Sequence, residues 1–146
     1  FVSIKSKQGL NQLFNRVSDI LQSEPPVSKD KIIPAKNRVY AMQEIIRGVI
    51  VNLTHNELPY DTAVLIDKSE EKRKLISLYA TIFTSKENQK KIIIGKSGSM
   101  IKKVGIESRL ILEKNYNRKF FISLNVLVKN NWKNNYSLLK KIGYID

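Results

Sequence analysis

The amino-acid sequence predicts an α+β fold over residues 37–146, with three strands in one sheet and helices packed on one of its faces. A linker at 25–36 joins this domain to a strand and helix at 1–24. Three observations carry the prediction. Apolar residues recur at i, i+3, i+4 and i+7 in some segments and at every second position in others, the periods of half-buried helices and strands. Three of the four prolines fall between 25 and 36, where no period survives, and proline continues neither a helix nor a central strand. A hydrophobic content of 42 % in 146 residues suffices for one buried core.

Phe1 to Ile4 reads as a short strand, and Leu10, Leu13, Phe14, Val17, Ile20 and Leu21 share one face of the helix that follows. Glu24-Pro25-Pro26 ends that helix, because proline removes a ladder donor and disfavours helix in the residue before it. A second helix runs from about Lys36 to Thr54 with Val39, Met42, Ile46, Val49 and Leu53 on one side, and Glu57-Leu58-Pro59-Tyr60 closes it. Thr62 to Lys68 and Leu75 to Thr84 are strands, and the short polar turn Ser69 to Lys74 between them makes the pair antiparallel. Ser85 is the expected N-cap of a helix through Ile93. After an interruption at Gly95-Lys96-Ser97-Gly98, a helix from Ser99 sets Met100, Ile101, Val104, Ser108, Ile111 and Leu112 on one face. Phe120, Ile122, Leu124, Val126 and Val128 share one side of the last strand. Tyr136 to Ile142 forms a closing helix, with Gly143 as its left-handed C-cap. Gly9 and Gly48 read as a turn and a helix-packing residue, Trp132 and Tyr144 as caps on the core, and His55 as surface.

Composition narrows the chemistry. Cysteine is absent and His55 is the one histidine, which excludes disulfides, thiolate metal sites, cysteine nucleophiles and two-histidine zinc sites. No apolar run approaches the roughly 20 residues of a membrane-spanning helix. Asp61, Asp67, Glu70 and Glu71 border strands or turns as a solvated edge and offer no catalytic pair. Against 13 acidic residues stand 26 basic ones, a net charge of +13. Residues 1–24 contribute +1, 25–60 +2, 61–84 zero and 85–146 +10. Lys, Ile and Asn make up 52 of the 146 residues, as an AT-rich genome would give, but such a bias does not confine charge to one region. The concentration predicts a face that binds a polyanion.

Gly95 and Gly98 stand three apart, a spacing that arises easily by chance, and a plain helix-turn-helix corner would use it too. Their setting adds to the signal. Ile92-Ile93-Ile94 precedes them, Lys96 and Ser97 fill the gap without an acid, and a helix carrying Lys102 and Lys103 starts directly after. Four consecutive amides at a helix N-terminus offer a concavity to phosphate, and glycines admit a nucleic-acid backbone without Cβ contact. The same logic underlies the KH module, whose GxxG loop clamps four nucleotides of a single strand. A nucleotide-binding P-loop needs G-x-x-x-x-G-K-[ST], and Lys90 stands where its first glycine would be.

The sequence resembles the C-terminal region of the Era GTPases, which bind small-subunit ribosomal RNA. The matching stretches are Glu44-Ile45-Ile46-Arg47, Glu57-Leu58-Pro59-Tyr60, Ala80-Thr81-Ile82-Phe83, the long run from Gln89 to Arg109, Trp132 and the terminal Gly143-Tyr144-Ile145-Asp146. The resemblance implies a type II KH domain over 37–146, preceded at 1–24 by the last strand and helix of a Ras-like G domain. It implies that Ser3, Ile4 and Lys5 are what is left of the guanine-contacting S-A-K loop. The P-loop, switch regions and N-K-x-D element are missing from the sequence, so GTP and Mg are expected only for the full-length protein and no cofactor for this chain. Two departures stand out. Asn125 and Leu127 occupy positions where the family's third strand carries Trp and Lys, and Ser28 to Lys36 lacks the family's acidic and aromatic linker pattern.

The resemblance and the charge together lead to one set of expectations. Gly95, Lys96, Ser97 and Gly98 cradle the backbone of single-stranded RNA near the 3′ end of the small-subunit rRNA. Lys90, Lys91, Lys102 and Lys103 neutralise phosphates, Arg109 contacts or supports the strand, and Ile93, Ile94, Ile101 and Ile122 are candidate walls of the base groove, with a plain core position as the alternative for each. The partner is the small ribosomal subunit, whose assembly is assisted; a weak contact with an anionic membrane surface is a further expectation, and the chain is expected to be a monomer. The alternative is a type II KH domain of a structural ribosomal protein or transcription factor without GTPase activity. The two departures, taken with the codon bias, suggest an organelle, mitochondrion or plastid, with an AT-rich bacterial cytoplasm as the other source.

Overall fold

The computed structural model describes residues 2–23, 35–54, 58 and 61–145. The chain forms two compact units, Phe1–Pro34 and Ala35–Asp146. The expected linker at 25–36, the stops at Glu24-Pro25-Pro26 and Pro59-Tyr60, and the surface position of His55 lie wholly or largely outside the described residues.

In the first unit, helix α1 spans Leu10–Ser23. Leu13, Phe14, Val17, Ile20 and Leu21 all face solvent, so the predicted apolar stripe exists as an open face. The expected strand at Phe1 to Ile4 does not form over its described part. The Ser3 N–H donates to the Gln8 carbonyl at 3.0 Å and the Ser6 N–H to Ser3 Oγ at 3.3 Å, with positive φ at Lys7 and Gly9. A strand needs a neighbour to receive its ladder bonds, and here the segment satisfies its own backbone by turning.

The second unit contains α2 (Ala35–Thr54), β1 (Thr62–Glu71), β2 (Leu75–Thr84), α3 (Glu87–Ile94), α4 (Ser99–Tyr116), β3 (Lys119–Val128) and α5 (Tyr136–Ile142). Two 3-10 turns lie at Lys96–Gly98 and Trp132–Asn134. The sheet runs β1-β2-β3. β1 and β2 are antiparallel as expected, whereas β2 and β3 are parallel, with Leu75 opposite Lys119 and Thr84 opposite Val128. A parallel pair requires a long crossover, and α3, the glycine loop and α4 supply it. Central β2 is buried on both faces over most of its length.

The main core joins α2, α3 and α4 to one side of the sheet through Ile46, Ile50, Leu78, Ile82, Ile93, Val104 and Leu112. Residues of opposite parity on β1 and β2, Ala63 and Phe83, build a second cluster with Trp132, Leu138 and Ile142. The last helix therefore closes over a corner of the other face instead of joining the first layer. Trp132 is 4 % exposed, a member of this cluster, and the Tyr144 ring meets Tyr40 edge-on at 6.5 Å.

Buried Gln43 ties the two cores together. Its Nε2 donates to the Ile142 carbonyl at 2.9 Å, and its Oε1 accepts from the Ile66 N–H at 3.0 Å. The register shifts by one residue between Ile66 and Lys68, so Gln43 serves an amide at a bulge. Gly143 caps α5 at φ 89°. Its N–H bonds the Leu139 and Lys140 carbonyls and the Tyr144 N–H bonds Leu139, a Schellman closure.

Four local expectations are corrected. β1 runs on to Glu71, because Lys72 and Leu75 exchange backbone bonds and confine the turn to Lys72–Lys74. Ile111 is 41 % exposed, since the buried stripe of α4 follows Val104, Ser108 and Leu112, leaving its neighbour at 111 on the rim. Gly48 has no atom within 4 Å of where a Cβ would stand, so close helix packing does not demand it. Lys86, not Ser85, is the N-cap of α3; the Gln89 side chain accepts from both of their amides, at 2.9 and 3.0 Å.

A candidate nucleic-acid interface

α3 and α4 meet at the glycine loop, and three backbone conformations make the corner. Gly95 has φ 73° and ψ 174°, Ser97 lies in the left-handed region at φ 51°, and Gly98 caps α4 at φ 77°. The two glycines are required for different reasons. A Cβ on Gly95 would come within 2.6 Å of Met100 Cβ and 2.8 Å of its amide nitrogen, whereas a Cβ on Gly98 would meet nothing within 4 Å. Gly95 lets the two helices close on each other; Gly98 leaves the outer surface of the corner open.

The loop offers fewer free amides than its sequence suggests. The Gly95 N–H is committed to the Lys91 carbonyl at 2.9 Å and the Gly98 N–H to the Gly95 carbonyl at 3.2 Å. The Ser99 N–H bonds the Lys96 carbonyl. Lys96 and Ser97 open the 3-10 turn that Gly95 caps, where a helix supplies no partner of its own for its first N–H groups, and both residues are exposed. The donors the loop can offer an anion are thus these two consecutive N–H groups just before α4.

Beside the loop, α4 and β3 enclose an open groove of about 340 Å³ lined by Ile101, Lys102, Gly105, Ile106, Arg109, Phe120, Phe121, Ile122 and Leu124. Its floor is apolar and its rim carries two cations. Ile106 is 43 % exposed in the groove, and Phe121, 49 % exposed, borders it from the other face of β3. Phe121 also meets Tyr79 edge-on at 6.0 Å.

The predicted site residues separate into three groups. Gly95, Lys96, Ser97, Gly98, Ile101, Lys102, Arg109 and Ile122 lie on the loop or groove. Lys91 and Lys103 are exposed and Lys90 half-buried on the adjoining helices; Lys103 already faces Glu107 at 3.9 Å, while Lys90, Lys91, Lys96 and Lys102 have no ion-pair partner among the described residues. Ile93 is fully buried in the main core on the inward face of α3, so it does not wall the groove, a correction; Ile94 is half-buried against that core and is not among the residues that line the groove. Ser3, Ile4 and Lys5 sit in the turn of the first unit, Ile4 and Lys5 exposed. On β3, Asn125 and Leu127 are both exposed.

Sequence reasoning missed Gly105, Ile106, Phe120, Phe121 and Leu124 as groove residues. Phe121 is out of phase with the core side of β3, which is the signal that could have singled it out. It also missed what holds α3 in place. Gln89 Nε2 donates to Asp61 Oδ2 at 2.9 Å, and Lys133 pairs with Asp61 Oδ1. The hydrogen bonds from Lys133 and Gln89 hold the Asp61 carboxyl below the usual range, so this carboxylate anchors the base of the loop.

Residues 57–133 match the model of the KH domain family. The chain is 37 % identical over 144 residues to the GTPase Era of Geobacter sp. strain M21, covering 98 % of this chain and 48 % of that protein. It is 36 % identical over 145 residues to the GTPase Era of Syntrophus aciditrophicus, covering 98 % and 47 %. The chain thus spans about half the length of the curated relatives it matches. Among solved structures, a GDP·AlF4⁻-bound variant of Aquifex aeolicus Era superposes with a TM-score of 0.80 at 25 % identity, covering 97 % of this chain and 48 % of that one. Era in complex with MgGDPNP and nucleotides 1506–1542 of 16S ribosomal RNA superposes at 0.78 and 27 % identity, with the same coverage.

Proposed function

The chain belongs to the KH domain family and corresponds to the C-terminal half of Era GTPases, and on that premise we propose that it binds single-stranded RNA at the 3′ end of the small-subunit rRNA, one chain per strand, in support of small-subunit assembly. One observation carries the proposal: the corner at Gly95–Gly98 sets exposed Lys96 and Ser97, at the opening of the turn, and an open Gly98 surface beside an apolar groove. Phosphate takes hydrogen bonds from the Lys96 and Ser97 amides at the head of α4. The missing Cβ of Gly98 lets the sugar-phosphate backbone approach closely. Lys96, Lys102 and Arg109 supply charge along the strand, and unstacked bases lie against Ile101, Ile106, Phe121 and Ile122.

The Era complex with nucleotides 1506–1542 of 16S rRNA supports the choice of RNA. GTP and Mg belong, in this proposal, to the GTPase domain of the whole protein. The chain's own residues contain no P-loop, and its contribution is recognition.

Replacing Lys96 and Ser97 together by Asp is expected to weaken binding of an oligonucleotide from the small-subunit rRNA 3′ end, with the melting temperature nearly unchanged, since both side chains are exposed. Equal affinity of the double variant and the original chain would refute the loop's role. Flotation with anionic liposomes, in competition with the same oligonucleotide, separates RNA binding from attraction to a membrane surface.

A further inference from the structure

A second open cavity, of about 330 Å³, lies at the opposite end of α4 from the glycine loop and is lined by Arg73, Lys74, Glu113, Asn117, Arg118 and Lys119. Four of these six side chains are cationic and Glu113 is the one carboxylate among them. Three elements converge to build it: the β1–β2 turn, the end of α4 and the start of β3, where the parallel register sets Leu75 opposite Lys119. Glu71 and Glu113 organise it without neutralising it. Arg118 is fixed by Glu71 at 2.9 Å and by the Lys72 carbonyl. Glu113 accepts from the Phe120 N–H at 3.1 Å and faces Lys119 at 3.6 Å. Arg73 and Lys74 are exposed and have no ion-pair partner among the described residues.

The cavity is in line with the groove. The groove's far end is marked by Arg109 and Phe120, and Glu113, one helical turn beyond Arg109, bonds the Phe120 amide and lines the basic cavity. α4 has 18 residues, about 27 Å at 1.5 Å each, with the glycine loop at one end and these cations at the other. A strand that follows α4 past the groove meets them. Arg118 is already held in place, which lowers the ordering cost of a contact with an anion.

We propose that this cavity is a second phosphate site, which takes the backbone of the same RNA strand where it leaves the groove. The proposal rests on the RNA-binding reading above and extends its footprint to the β1–β2 turn.

The test compares three oligonucleotides from the small-subunit rRNA 3′ end. One matches the groove, at about four nucleotides, one is lengthened at its 5′ end and one at its 3′ end. Arg73→Glu combined with Lys74→Glu is expected to weaken binding of one of the lengthened RNAs about tenfold and to make its salt slope shallower by about 0.7 for each phosphate that is no longer neutralised. The short RNA keeps its affinity. Arg73→Gln with Lys74→Gln, which adds no negative charge, should act in the same direction to a smaller extent. The Lys96→Asp, Ser97→Asp variant should lose the short and the lengthened RNAs alike, which tells the two sites apart. Unchanged affinity of the Glu variant for both lengthened RNAs overturns the second site, and so does equal weakening of short and long. If the original chain binds none of these RNAs, the proposed function fails and the second site with it.

Discussion

Gly95 and Gly98 look alike in the sequence and differ in what the fold asks of them. At Gly95 any Cβ overlaps Met100, and φ 73° with ψ 174°, a region kept almost wholly by glycine, adds strain of about 1–3 kcal/mol for another residue. Gly95→Ala should therefore destabilise the chain by about 2 kcal/mol or more, read as a lowered midpoint in urea. At Gly98 there is space, and Asn tolerates the left-handed region. Gly98→Asn should leave the urea midpoint within about 1 kcal/mol yet weaken RNA binding by obstructing backbone approach. Equal stability losses for both substitutions would contradict the division of roles. The spacing of the two glycines was legible in the sequence. Their separate duties were not, because they depend on where Met100 sits once α3 and α4 have closed, and the bonds that withdraw Gly95 and Gly98 from the amide set are made only in the folded corner.

At the scale of elements, the loop is held by what anchors α3, and that anchor titrates. Asp61 receives hydrogen bonds from Lys133 and Gln89, which hold its carboxyl below the usual range. Glu113, accepting the Phe120 amide at the other end of α4, is held low as well. A carboxyl lowered on folding contributes stability above its unfolded value, about 3.9 for Asp and 4.3 for Glu. That contribution is lost as pH falls through the folded value. Melting temperature should accordingly drop on going from pH 6 to about pH 3, and Asp61→Asn should show a shallower acid dependence than the original chain. Gln43 makes the complementary test in the neutral range. Gln43→Leu strands the Ile66 amide and the Ile142 carbonyl, each at a cost of about 1–3 kcal/mol, and should lower the urea midpoint without altering the loop. Helix and strand positions were readable from apolar period because burial imposes it. The cap from Gln89, the bulge at Ile66 and the turn at Lys72–Lys74 were not, since each is settled by a partner distant in sequence.

For the whole molecule, the charge concentrated in residues 85–146, joined by Arg73 and Lys74 of the β1–β2 turn, becomes a surface with two basic stations, the loop and groove at one end of α4 and the Arg73–Lys119 cavity at the other. Affinity for each lengthened RNA should fall linearly in log–log form with salt, at a slope of about −0.7 per phosphate neutralised. The α+β layering and the antiparallel pair followed from sequence pattern alone. The parallel placement of β3 and the second cluster around Trp132 did not, because an apolar strand carries no mark of its neighbour's direction and Trp132 serves a core that exists only after α5 folds over β1. The central claim is that the Lys96 and Ser97 amides receive RNA phosphate. Titrating the ¹⁵N-labelled chain with the small-subunit rRNA 3′-end oligonucleotide tests it most directly. The account predicts that the Lys96 and Ser97 amide resonances move early and furthest, together with those lining the groove; binding that leaves these two amides unmoved would contradict it.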